Sequence, residues 1–195
     1  EDVEQIRELT IVGYDTVMPG ESVLFDEDSY TFQSYGWEQS STGNVETLSD
    51  LRYMPFLRRL NIAFQEDLDI SGVASASRLE ELSLIHVGIR DLSPVSGLTN
   101  LKKLCVGWND ISDISDLSGL TSLTSLGVWN NRITDISPVA NMKGLTYLDF
   151  SANRVSDISA VSSLENLSSL WMYQNQVTDF SALEGLSQLR VLMIR

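Results

Sequence analysis

The sequence predicts an α/β right-handed solenoid, with a parallel β-sheet on its concave face and short 3-10 turns on its convex face. Three observations predict it. From Leu57 onward the chain repeats every 22 residues without insertion or deletion, and Leu57, Leu79, Leu101, Leu123, Leu145, Leu167 and Leu189 open successive copies. A fixed period in this range marks units that bury their apolar sides only against their neighbours. Counting each opening Leu as position 1, apolar residues recur at positions 1, 4, 6, 11, 14, 17 and 20. Positions 4 and 6 alternate with polar neighbours, as a strand with one face inward requires. Finally, Asp stands at position 13 and Ser at position 15 of every complete copy, with Pro94 and Pro138 directly after two of the serines. Ser followed by Pro is a helix-start signature, and the short span that remains predicts single turns.

Residues 1–56 precede the regular copies and carry two halves of another. Ile6, Leu9 and Ile11 match positions 1, 4 and 6, and Val45, Leu48, Leu51 and Met54 match positions 11, 14, 17 and 20. The spacing predicts one split copy with about 29 extra residues inserted after its strand, near 12–44. Inside the insert, Val23-Leu24-Phe25, an acidic run Asp26-Glu27-Asp28, then Tyr30-Thr31-Phe32 reads as a β-hairpin; Tyr35 and Trp37 follow. Two roles are open to residues 1–56: an N-terminal cap over the apolar end of the solenoid, or a second contact surface. Residues 57–195 form the repeat domain, its last copy truncated.

The regular copies follow. Seven buried side chains contribute roughly 10–20 kcal/mol per copy, against about 1–2 kcal/mol per residue of backbone entropy. One copy cannot fold alone, so stacking is obligatory. Position 9 holds Asn109, Asn131, Asn153 and Asn175, whose amides can satisfy backbone groups where the chain leaves the strand. Gln65 and Val87 interrupt this ladder, which predicts looser turns in the first two copies. The aspartates at position 13 are expected to accept backbone N–H groups in their own turns. A linear stack of carboxylates supplies no converging metal ligands, and no metal or cofactor is expected. The serines are expected to act as N-caps, and Gly97, Gly119, Asn141 and Gly185 to end the turns in the left-handed conformation.

On the concave face, positions 3, 5, 7 and 8 point away from the core. Trp108, Trp129, Tyr147, Trp171 and Tyr173 therefore share one surface, with Cys105, Gly107 and Gly127 leaving room for a pocket beside them. Exposed Trp and Tyr groups form binding hot spots. The alternative is that the rings stack across strands and stiffen the sheet. His86 and Cys105 lie about 10 Å apart along neighbouring strands, too far for a nucleophile and its base. They read as ordinary surface residues. No phosphate loop, metal-spaced cluster or catalytic carboxylate pair is present in the sequence, so no enzymatic role is expected.

Composition narrows the partners. The chain holds 27 acids and 13 bases, for a net charge of −14, and residues 1–56 alone hold 12 acids and 2 bases. An acidic chain argues against nucleic acid and anionic membranes, which need clustered Lys and Arg. There is no membrane-spanning run and one cysteine, Cys105, so no intrachain disulfide forms. The chain opens on Glu1 and stops just inside a repeat. Both ends read as cut, which leaves room for a removed export signal and downstream domains. The last strand, Val191-Leu192-Met193-Ile194, is expected to be a sticky, uncovered sheet edge.

The stretch from Leu123, LxxLxLxxNxI followed by Asp135-Ile136-Ser137-Pro138, resembles the 22-residue leucine-rich repeat of bacterial internalins. The match extends from Leu57 to the end, and the Asp-Ile-Ser triplet favours this type over the repeats of eukaryotic phosphatase regulators. Internalins begin with a small helical cap, whereas this chain opens with a split repeat and a hairpin. The resemblance implies a surface or secreted bacterial protein that grips a host receptor with an aromatic-rich concave face. That assigns partner binding to Trp108, Trp129, Tyr147, Trp171 and Tyr173. The expected function is non-catalytic protein recognition at the cell surface or outside the cell. Carbohydrate binding through the same rings, or a spacer role in a larger surface protein, are the alternatives.

Overall fold

The computed structural model describes residues 5–12, 23–26, 31–34, 46–65 and 67–194. Eight strands form one sheet: β1 (Glu8–Val12), β4 (Arg59–Ala63), β5 (Glu81–Ile85), β6 (Lys103–Cys105), β7 (Ser125–Gly127), β8 (Tyr147–Asp149), β9 (Ser169–Trp171) and β10 (Val191–Met193). They lie side by side in that order, and each neighbouring pair is parallel. This is the leucine-rich-repeat solenoid. The remaining strands, β2 (Val23–Asp26) and β3 (Thr31–Ser34), pair antiparallel with Phe25 opposite Phe32. Leu9 stands opposite Leu60, Ile11 opposite Ile62, and Thr47 bridges Asp69. Val45, Tyr35, Trp37 and the residues between β2 and β3 lie outside the described residues.

The period makes the core continuous. In the copy from Leu145, the side chains of Leu145, Leu148, Phe150, Val155, Ile158, Val161 and Leu164 are all buried. One cluster of such residues runs from Leu48 to Leu186. In the first copy the buried residue moves from position 11, where Asp67 stands, to Leu68.

Strands β4 to β9 are each followed by a left-handed residue at position 8. Phe64, His86, Trp108, Asn130, Ala152 and Gln174 have φ between 52° and 57°. The turn brings the next residue's amide over the strand end. Asn131 donates through Nδ2 to the carbonyls of Val106, Val128 and Trp129 at 2.9, 3.0 and 3.1 Å, and its Oδ1 accepts the Ile111 N–H at 3.0 Å. Asn109, Asn153 and Asn175 repeat the pattern, so each amide bonds its own copy and the preceding one. In the two copies without this Asn, a second left-handed residue follows the strand: Asp67 at φ 49° and Gly88 at φ 76°. Without the amide, the backbone takes a different path through the turn.

Two details of the convex turns differ from the sequence expectation. The 3-10 turns begin at the serines, and what caps them is the aspartate two residues earlier: Asp135 Oδ1 accepts the Ser137 N–H at 2.7 Å, and the other five aspartates do the same at 2.7–2.9 Å. The serine hydroxyl is not the cap. The turns also do not end on left-handed Gly97, Gly119, Asn141 or Gly185, none of which has positive φ. Instead the residue at position 20 closes the turn, with Leu120 at φ −85°, ψ 57° and the Thr121 N–H donating to the Gly119 carbonyl. This is an inverse γ-turn. It fits because the position-20 side chain must point into the core, which a negative φ allows without strain.

Candidate functional site

The open face of the sheet is built from rows of residues in register. One row reads Glu8, Arg59, Glu81, Lys103, Ser125, Tyr147, Ser169; the next reads Thr10, Asn61, Ser83, Cys105, Gly127, Asp149, Trp171. Arg59 pairs with Glu8 at 2.8 Å and Lys103 with Glu81 at 3.7 Å. A groove of about 210 Å³ runs along these rows from Glu8 to Trp129 and Tyr147.

Position 7, together with Cys105 of the second row, carries a separate apolar cluster on this face. Ala63, Ile85, Cys105 and Trp129 bury one another, with Phe64 packed against them. Trp129 does not stand out from the face as the sequence reading expects. Its indole lies over Gly107 and Gly127, so that a Cβ on either glycine would run into the ring, and only 7 % of Trp129 is exposed. The space directly over Gly107 and Gly127 is thus filled by this indole, while the groove beside it is lined by Cys105 and Gly127 as expected. Tyr147 is also buried, whereas Trp171 and Tyr173 are half-buried and Trp108 is 54 % exposed. The five sequence-predicted residues divide accordingly: Trp129 and Tyr147 form floor, and Trp108, Trp171 and Tyr173 offer surface.

Two further residues join Trp108. Phe64 and His86 meet edge-on at 5.6 Å between ring centroids, and His86 and Trp108 lie 6.1 Å apart. This row follows from the left-handed residue at position 8, which throws all three rings to the same side. The pattern is visible in the sequence only once that backbone conformation is known. Cys105, expected at the surface, is buried, and burial pushes its thiol up to about 12. A thiol held protonated is a poor nucleophile.

Asp149 was not singled out by sequence. It sits in the second row, only 7 % exposed, between Gly127 on β7 and Trp171 on β9. Its Oδ1 accepts the Ser151 N–H at 2.8 Å and its Oδ2 faces the Tyr147 hydroxyl at 3.4 Å. Burial raises its pKa above the usual aspartate value, partly offset by the Ser151 N–H. Burial and the Asp149 charge together raise the phenols of Tyr147 and Tyr173. Among the described residues no three His, Cys, Asp or Glu side chains converge as a metal site, and no helix is long and apolar enough to cross a membrane.

Comparison with known proteins follows the same geometry. The family profile described as leucine-rich repeats (2 copies) matches residues 121–163. An internalin (inlF) from Listeria monocytogenes superposes with a TM-score of 0.76 at 38 % identity, covering 80 % of this chain and 46 % of that one. Internalin C2 (inlC2) from the same species gives 0.65 at 31 % identity, covering 77 % and 76 % of the two chains. The ectodomain of the plant membrane receptor kinase GASSHO1/SCHENGEN3 from Arabidopsis thaliana, in complex with Casparian strip integrity factor 2, gives 0.65 at 19 % identity over 78 % of this chain and 20 % of that one; it shares the fold. No curated protein sequence matches significantly. This chain spans about half of the inlF structure and three quarters of internalin C2, and on its repeats, sheet and sequence identity it belongs to the internalin family of leucine-rich-repeat proteins.

Proposed function

We propose that this chain is the non-catalytic protein-recognition module of an exported bacterial protein, and that it holds its partner on the open, concave face of the sheet. The observation that carries this reading is the exposed ring of Trp108, set in a row with His86 and Phe64. An indole held in water by a rigid strand end has lost its conformational freedom before binding, which is what makes such rings effective anchors. Trp171 and Tyr173 extend the contact surface, while Trp129 and Tyr147 support it from below. Residues 1–56 are taken as a split first repeat that caps the solenoid, supported by the pairing of Leu9 with Leu60 and of Thr47 with Asp69.

The test compares the parent chain with a Trp108→Ala/Trp171→Ala double variant, its folding checked by circular dichroism. Both are used to capture ligands from host-cell surface extract and from a glycan panel. A protein retained by the parent and lost by the variant supports the reading. Glycans lost in the same way would turn the function to carbohydrate binding. Equal capture by both would move the site off this face, and no capture by either would leave a spacer.

A further inference from the structure

The charges along the groove are matched in pairs, Glu8 with Arg59 and Glu81 with Lys103, and Asp149 is a further carboxylate on the same sheet face, hydrogen-bonded to Tyr147 at the end of the groove. Among the described residues, no lysine or arginine forms an ion pair with Asp149; its hydrogen-bond partners are Ser151 and the Tyr147 hydroxyl. A carboxylate this deeply buried is costly to fold unless it is paired. Tyr147 lines the groove and its hydroxyl donates to the acid, and the Trp129 indole covers Gly127, the residue directly opposite Asp149. Trp171 stands opposite on the other side. Ring faces attract cations, and a carboxylate in a poorly solvated site attracts them more strongly than one in water.

We propose that Asp149, walled by Trp129, Tyr147 and Trp171, is the anchor point for a basic side chain of the protein partner, with the groove leading to Tyr147, its hydrogen-bond partner. The inference rests on the recognition reading above and gives it a chemical identity: the partner presents a guanidinium or ammonium group in the middle of the interface. The cation completes an ion pair that folding alone leaves open. The rings exclude water from the pair and fix its direction of approach.

Asp149→Asn is a clean variant, because the amide oxygen can still accept the Ser151 N–H while the charge is gone. The probe is N-acetyl-arginine methylamide, titrated against the indole N–H signals of Trp129 and Trp171 by NMR. Its uncharged citrulline counterpart serves as the control. Saturable shifts are expected with the arginine probe, with affinity at least about tenfold weaker for the citrulline probe and for the Asp149→Asn chain. Equal shifts from both probes, no shifts from arginine, or undiminished binding by Asp149→Asn would each overturn the proposal. The arginine–citrulline comparison on the parent chain decides the matter even if the variant folds poorly. A partner whose capture is lost in Trp108→Ala/Trp171→Ala but unchanged in Asp149→Asn would leave the recognition face standing and remove the cation from it.

Discussion

Gly107 and Gly127 lack side chains because one indole needs the space. Gly107→Ala is therefore expected to cost about 1–3 kcal/mol by overpacking. The cost should shrink in a Trp129→Ala background, as a double-mutant cycle of thermal melts would reveal. Ala152 is a different kind of constrained residue, held at φ 52° where a branched Cβ clashes with the backbone. Ala152→Val should destabilise by about 1–2 kcal/mol, with Ala152→Gly near neutral because lost strain offsets gained unfolded-state entropy. Asp149 and the turn aspartates respond to pH in opposite directions. The Ser N–H donors, helped by the serine hydroxyls, hold the carboxyls of Asp69, Asp91, Asp113, Asp157 and Asp179 below the usual aspartate value. Their contribution is complete above the ordinary aspartate range and disappears as the pH falls through the depressed one, so the melting temperature should drop on acidification below about pH 4. The raised Asp149 is unfavourable only once ionised. Asp149→Asn should thus raise the melting temperature at neutral pH, and the gain should vanish as the pH falls to the ordinary aspartate range.

At the scale of the element, a three-residue strand and a five-residue 3-10 turn have little stability of their own. What fixes them is the side chain between them. Asn153 is buried and bonded to the carbonyls of Val128, Phe150 and Ser151 and to the Ile133 N–H. Asn153→Ala strands these groups in a dry interior and is expected to cost about 2–4 kcal/mol in a denaturant melt. The same substitution at Asn175, which is only half-buried, should cost less. Beside the strands, Thr124, Thr146 and Ser168 each bond a carbonyl of the preceding copy, and Glu80 is gripped by Arg58 and Lys102. These flanking ladders are solvent-exposed and contribute little individually.

Across the whole molecule, every copy touches only its neighbours, so stability is a sum of local terms and opens from weak places. β10 is the weak place: Val191, Leu192, Met193 and Ile194 are all exposed, at 37–47 %. Hydrogen exchange should accordingly be faster in β10 than in β7 or β8, where the flanking copies cover both sides. Uniform protection across the sheet would contradict the nearest-neighbour picture. The charge distribution acts at the same scale. Ten of the fourteen net negative charges belong to residues 1–56, which leaves residues 57–195 at −4, so the potential along the sheet is set by local pairing more than by the overall field.

The period, the inward positions, the Asn ladder and the acceptance of backbone N–H groups by the aspartates were legible in the sequence because each depends on contacts repeated every 22 residues, whereas the caps were assigned to the serines. The left-handed residue at position 8 was not, since Phe64, His86, Trp108 and Ala152 carry no common side-chain chemistry that announces it. Nor was the burial of Trp129, Tyr147 and Asp149. Their positions on the outward side of the strands were readable, but whether an outward side chain stands in water or lies flat depends on its neighbours across the sheet. The sequence by itself determined the stacked architecture and the surface on which the aromatic residues fall. Only the tertiary structure decided which rings face solvent, because Gly107 and Gly127, from neighbouring copies, must come close before one indole can lie over both.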